Sequence, residues 1–201
     1  MIRFIILVYL YVTLPVAIAN GDPIQGKAKA IICIGCHGID GNNTNETYPI
    51  LAGQSEAYLT KQLNDFKTGN RQEEHMSSMV EALTTSDIPD VSSYFAMQKR
   101  KQLNITNKNT KQGEQIYFNG VASRSVSACV ACHKNVGNTS NNILYPILAG
   151  QHSIYIQKTL KEFRSGKRHN DLSKTMRNIA IKLTNKDIKA VADYLTQINL
   201  K

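Results

Sequence analysis

The four cysteines of this 201-residue chain have the types and spacing best suited to chemistry, and all four fall in two copies of one pentapeptide. Cys33-Ile34-Gly35-Cys36-His37 and Cys129-Val130-Ala131-Cys132-His133 are both C-x-x-C-H, with no cysteine left over. Two thiols within one helical turn can bond to both vinyl groups of a haem, while the adjacent imidazole reaches the iron. Zinc is the rival reading of four cysteines. Paired zinc knuckles usually sit ~15 to 20 residues apart, whereas these pairs are more than ninety apart, and zinc gives no reason for a histidine directly after each pair. The spacing therefore predicts two covalently bound haem c groups, attached at Cys33, Cys36, Cys129 and Cys132, with His37 and His133 on the irons.

A low-spin iron needs a sixth ligand, and an internal repeat selects it. His37 and His133 are 96 apart, and Tyr48-Pro49-Ile50-Leu51-Ala52-Gly53-Gln54 recurs 97 residues later as Tyr145-Pro146-Ile147-Leu148-Ala149-Gly150-Gln151. A three-residue insertion then brings the offset to 100, where Leu83, Asp87 and Tyr94 meet Leu183, Asp187 and Tyr194. One unit has been duplicated. The second half contains a single methionine, Met176, and its repeat partner is Met76; Met79 falls opposite Ile179 and Met97 opposite Gln197. Met76 and Met176 are the axial candidates, with Met79 expected in the core beside the haem. His75, His152 and His169 face Thr175, Ser55 and Gln72 across the repeat, and are expected at the surface. His/Met ligation closes both axial positions and raises the reduction potential relative to bis-His, which points to electron transfer and away from an enzyme.

Supporting residues follow from the same register. Pro49 and Pro146 lie twelve and thirteen residues after their histidines, where a backbone carbonyl could take the imidazole Nδ1–H and fix the ring. Arg71 and Arg168 could clamp haem propionates through bidentate guanidinium contacts, or could end a helix in solvent. Tyr48, Tyr145, Tyr94 and Tyr194 read as aromatic packing around the haems.

The elements that must position these groups read as short helices. Asp22-Pro23 suits a helix start leading into the first haem motif. A second helix should run from Ser55 or Ser153 to Gly69 or Gly166, and a third is announced by capping-box sequences at Thr84–Asp87 and Thr184–Asp187. Period-two alternation is absent, so the fold class is all-α. Residues 1–19 read as a signal peptide, with Arg3, an apolar run from Phe4 and Ala17-Ile18-Ala19 before the cut; an uncleaved membrane anchor is the alternative. The expected domains are 20–97 and 112–201, each holding one haem c, joined by a polar, basic linker over 98–111. Residues 20–98 carry five Lys and Arg against ten Asp and Glu, a net of −5, whereas residues 99–201 carry eighteen against five, a net of +13. Such a dipole is a steering device for redox partners, and no nucleic-acid partner is expected.

With two C-x-x-C-H motifs, the repeated Y-P-I-L-A-G-Q and a methionine seven residues before each Leu-Thr capping box, the chain resembles the cytochrome c4 family of bacterial dihaem cytochromes. The resemblance implies two tandem class I cytochrome c domains related by a pseudo-twofold axis. It assigns Cys33, Cys36, His37 and Met76 to one haem and Cys129, Cys132, His133 and Met176 to the other. It also implies a periplasmic carrier, with peripheral membrane association, that takes electrons from a quinol-oxidising respiratory complex toward a haem-copper terminal oxidase. The dihaem subunit of a flavocytochrome c sulfide dehydrogenase is the alternative role of the same fold. A dihaem peroxidase is a third, disfavoured by two Met-ligated sites.

Overall fold

The computed structural model describes residues 21–103, 110–133 and 145–198, so the proposed signal peptide and part of the linker lie outside the described residues. In the first unit, Pro23 opens α1 (Pro23–Lys29) and the Asp22 carboxylate accepts from the Ile24 and Gln25 amides. A 3₁₀ turn over Ala30–Ile32 leads into α2 (Ile34–His37), followed by α3 (Glu56–Lys67), α4 (Glu74–Glu81) and α5 (Asp87–Met97). The second unit repeats the plan with α6 (Lys111–Asn119), α7 (Ser153–Ser165), α8 (Thr175–Ala180) and α9 (Asn185–Gln197). Ser55 caps α3, and Gly69 (φ +77°) and Gly166 (φ +78°) take the left-handed conformation after α3 and α7, as the sequence predicts. No strand forms among the described residues; one isolated bridge, Val121 to Val126, separates α6 from the second haem motif. None of the described helices is long and apolar enough to cross a membrane.

Each unit closes by crossing its first helix over its last. Leu59, Leu83, Ile88, Val91, Tyr94 and Phe95 form the first core. Ile116, Tyr117, Ile156, Val191, Ala192 and Leu195 form the second. The crossings depend on glycine: a Cβ on Gly26 would meet the Asp90 carbonyl oxygen at 2.0 Å, and one on Gly113 would meet the Ala190 carbonyl oxygen at 2.0 Å. These are repeat-equivalent positions. Forced overpacking of this kind costs ~1–3 kcal/mol, more than the ~1 kcal/mol that alanine gains over glycine in a helix. Gly26→Ala or Gly113→Ala should therefore lower the melting temperature, and a rise would show that the helices do not cross there.

Both last helices start on a reciprocal cap. Thr84 and Asp87 exchange backbone and side-chain bonds (2.8 and 3.3 Å), as do Thr184 and Asp187 (2.8 and 3.2 Å). Each aspartate also holds a cation from the segment before its own haem motif: Lys29 at 2.7 Å from Asp87, Arg124 at 2.6 Å from Asp187. Burial opposes ionisation of Asp187, but Arg124 and Thr184 outweigh it and hold the carboxyl at about 2. A folded pKa below the unfolded value of ~3.9 means that this contribution is complete above pH 4 and is lost as the pH falls through 2. Asp187→Asn should cost about 1 kcal/mol at pH 7 and almost nothing at pH 2, as read by thermal unfolding at the two pH values.

The two units meet through matched hydrogen bonds. The Gln151 side chain accepts from the Ile50 amide (2.8 Å) and donates to the Ile50 carbonyl (2.9 Å), while Gln54 does the same to Ile147 (2.9 and 3.0 Å). Gln54 and Gln151 are repeat partners, and so are Ile50 and Ile147. The relation between the units is therefore a pseudo-twofold.

Candidate haem-binding sites

Both C-x-x-C-H motifs fold into the same turn. The His37 amide donates to the Cys33 carbonyl at 3.0 Å, and the His133 amide to the Cys129 carbonyl at 2.9 Å. This closes each pentapeptide so that its first thiol packs on the unit's core while its second is exposed. No disulfide joins the four cysteines. Burial pushes Cys33 and Cys129 up to about 11.

The imidazoles are oriented as the sequence predicts. His37 Nδ1 lies 2.9 Å from the Pro49 carbonyl oxygen and His133 Nδ1 lies 3.0 Å from that of Pro146. A carbonyl can only accept, so Nδ1 carries the proton and Nε2 is the bare nitrogen, which makes no hydrogen bond with the described residues. Burial lowers both histidine pKa values against the opposing effect of the carbonyl, which keeps the rings neutral and fit to bind a metal. Tyr48 stands edge-on to His37 at 6.1 Å between ring centroids, and Tyr145 to His133 at 5.9 Å.

Met76 and Met176 sit on α4 and α8, two short helices that the sequence does not predict. Glu73 starts α4 by accepting from the Met76 amide at 3.1 Å. Asp171 does the corresponding job for α8, accepting from the Arg177 amide at 3.0 Å. Both methionines are half-buried. Cys36 beside the Tyr48 phenol pushes its pKa up, with a smaller contribution from Glu73. Met79, on the same helix, is 48% exposed and is not part of the packed protein core of the first unit, the place expected of it.

The arginines are not solvated helix ends. Arg71 and Arg168 are buried, each stacked over a phenylalanine (Phe66 or Phe163) at 4.6 Å. Across the pseudo-twofold, Arg71 donates to the Tyr155 hydroxyl and Arg168 to that of Tyr58, both at 3.1 Å. Gln62 Oε1 accepts from both guanidiniums at 2.9 Å. No carboxylate among the described residues lies within ion-pair distance of either. Burial alone would raise the Tyr155 phenol, but the two cations outweigh it and bring it down to about 8. Glu162 acts favourably on Arg168 from beyond ion-pair distance, so the two buried guanidiniums are only partly balanced, a setting that suits a bound carboxylate.

Three residues to which the sequence assigns no part in the sites also shape them. His75 and His169 are exposed as expected, but His152 is only 2% exposed and its Nε2 bonds the Asn43 carbonyl of the other unit at 3.1 Å. Its repeat partner is serine, so the duplication concealed its interface role. Asn43 in turn donates to the Pro49 carbonyl at 3.1 Å, the acceptor that His37 uses. Arg100, read as linker, is buried between the units.

The Cytochrome c family model matches residues 26–99 and 110–199. Cytochrome c4 of Pseudomonas aeruginosa is 40% identical over 178 residues, spanning 88% of this chain and 89% of that protein. The chain belongs to the cytochrome c4 family. The crystal structure of reduced recombinant cytochrome c4 from Pseudomonas stutzeri matches with a TM-score of 0.84 at 37% identity, over 89% of this chain and 100% of that one. A protein named thiosulfate dehydrogenase electron acceptor, from Thiomonas intermedia, is 31% identical over 83% of this chain and 78% of its own length. As a cytochrome c4 family member, the chain is a dihaem electron-transfer cytochrome with two covalently bound haem c groups.

Proposed function

We propose that the chain is a periplasmic carrier moving electrons from a quinol-oxidising respiratory complex to a haem-copper terminal oxidase. In this reading Cys33, Cys36, His37 and Met76 hold the first haem, and Cys129, Cys132, His133 and Met176 the second, within domains 20–97 and 112–201. The observation that carries it is the pair of neutral histidines, each following a thiol pair and each held by a proline carbonyl with Nε2 free. When bound, each haem iron supplies a one-electron couple. The chain's own residues do the rest. His37 and His133, each fixed in one tautomer, would hold the irons through Nε2, Met76 and Met176 would supply soft thioether sulfurs that favour the ferrous state, and Arg71 and Arg168 would balance haem propionates. Because neither ligand has to leave, little rearrangement accompanies transfer.

A −5 half joined to a +13 half orients in a partner's field and offers different faces to donor and acceptor. Stopped-flow rates with an isolated quinol-oxidising complex and an oxidase should fall severalfold between 50 and 500 mM salt, to be expected of small, transient encounters; salt-independent rates would contradict the reading. The relative from Thiomonas intermedia favours one second reading, acceptance of electrons from a thiosulfate dehydrogenase. Faster reduction by that enzyme than by the quinol-oxidising complex would select it. A stoichiometric complex with a flavoprotein that survives high salt would select a sulfide dehydrogenase subunit.

A further inference from the structure

Arg100 comes from the connecting segment and has no repeat counterpart, since Leu200 occupies the equivalent position. It is nonetheless only 9% exposed. Its Nε donates to the Ala52 carbonyl at 2.8 Å and its Nη1 to the Ala149 carbonyl at 2.8 Å. Ala52 and Ala149 are the same residue of the two repeats, so one guanidinium spans the pseudo-twofold and bonds to equivalent atoms on either side. Nη2 is buried with no partner, and no carboxylate among the described residues lies within ion-pair distance. Burial draws its pKa down to about 10, which still leaves it charged at neutral pH.

Its position relates it to both redox centres. Ala52 lies three residues after Pro49, and Ala149 three residues after Pro146; these prolines hold the His37 and His133 rings. The bonds from Arg100 therefore brace both histidine-holding loops at once. A charge in the interior is screened far less than one in solvent, and a positive charge favours the redox state that carries the extra electron. Acting from equivalent atoms, it acts on both sites with the same sign.

We propose that Arg100 is a positioning residue shared by the two haem sites, which locks their proximal loops together and whose buried charge raises both reduction potentials in concert. This rests on the assignment of His37 and His133 as iron ligands.

The test is a redox titration of the holoprotein with the two haems resolved by NMR, comparing wild type with Arg100→Gln, Arg100→Lys and the exposed-neighbour control Lys101→Gln. In Arg100→Gln both haems should become harder to reduce, each equilibrium moving about threefold to tenfold toward the ferric form, where ~59 mV corresponds to tenfold. Arg100→Lys keeps the charge and should stay within about twofold for both haems, as should Lys101→Gln. Arg100→Met, which fills similar volume without charge, gives the same readout if the glutamine variant does not accumulate. Unchanged potentials in the neutral variants, a shift of one haem alone, or an equal shift in Arg100→Lys would overturn the proposal. Failure of the ligand assignment would appear separately, as a wild-type spectrum lacking His/Met coordination.

Discussion

Replacing Met176 with alanine should open one of the two irons, abolish its methionine-to-iron charge-transfer band and lower that haem's potential by on the order of 100 mV, given that axial ligands tune haem potentials over ~0.8 V. The other haem should keep its spectrum, because α4 and α8 belong to different units. The corresponding experiment in the first unit decides between two methionines on the same helix. Met76→Ala should give the same loss there, and Met79→Ala should leave ligation intact, since Met79 has Ile179 rather than a methionine as its repeat partner. An unperturbed first haem in Met76→Ala, together with altered ligation in Met79→Ala, would reverse the repeat register. Near-infrared absorption of the oxidised proteins reads both outcomes directly.

The second large effect belongs to the pair of glutamines. Gln54→Ala with Gln151→Ala removes four hydrogen bonds between the units and strips the partners from the Ile50 and Ile147 backbone groups. Each buried polar group left unsatisfied costs ~1–3 kcal/mol. The two groups at Ile50 are buried and the two at Ile147 partly so, and their loss, even with incomplete additivity, amounts to several kcal/mol. The double variant should therefore retain both haems while its units come apart. Small-angle scattering should show an extended particle, and electron exchange between the haems should slow at least tenfold. A compact particle with wild-type exchange would mean that the buried arginine and tyrosine cluster suffices to hold the units together.

Candidate ligands could be picked from the sequence because duplication supplies an internal control: a residue needed for the same chemistry in both halves must appear at the same offset, and Met76 and Met176 do while Met79 and Met97 do not. The longer helices were legible for a different reason, since Asp22, Ser55, Thr184 and Gly166 are end signals with local physics behind them. What escaped was short or not local. Helices α4 and α8 have eight and six residues, too few to show a 3.6-residue period, and α8 is entered through left-handed Ser173 and Lys174, which no glycine announces. His152 and Arg100 were misjudged because their polarity suggests solvent, whereas the other unit covers them. The repeat register is blind to such residues, because an interface contact made once leaves no second copy to compare.

The matched glutamine bonds also speak to how such a molecule could arise. An interface in which each copy offers the same side chain to the same backbone position of the other is isologous, the geometry of a twofold homodimer. A lone unit carrying Gln54 and Ile50 would already present both halves of that contact to a second copy of itself. Fusion of the two genes would then have added no new surface. It would instead have replaced a bimolecular association with an intramolecular one at an effective concentration in the millimolar range, so that a modest polar interface suffices for a permanent pair. Once tethered, the halves were free to diverge in charge, and the tether could contribute a residue, Arg100, that no symmetric ancestor could have placed on its own axis.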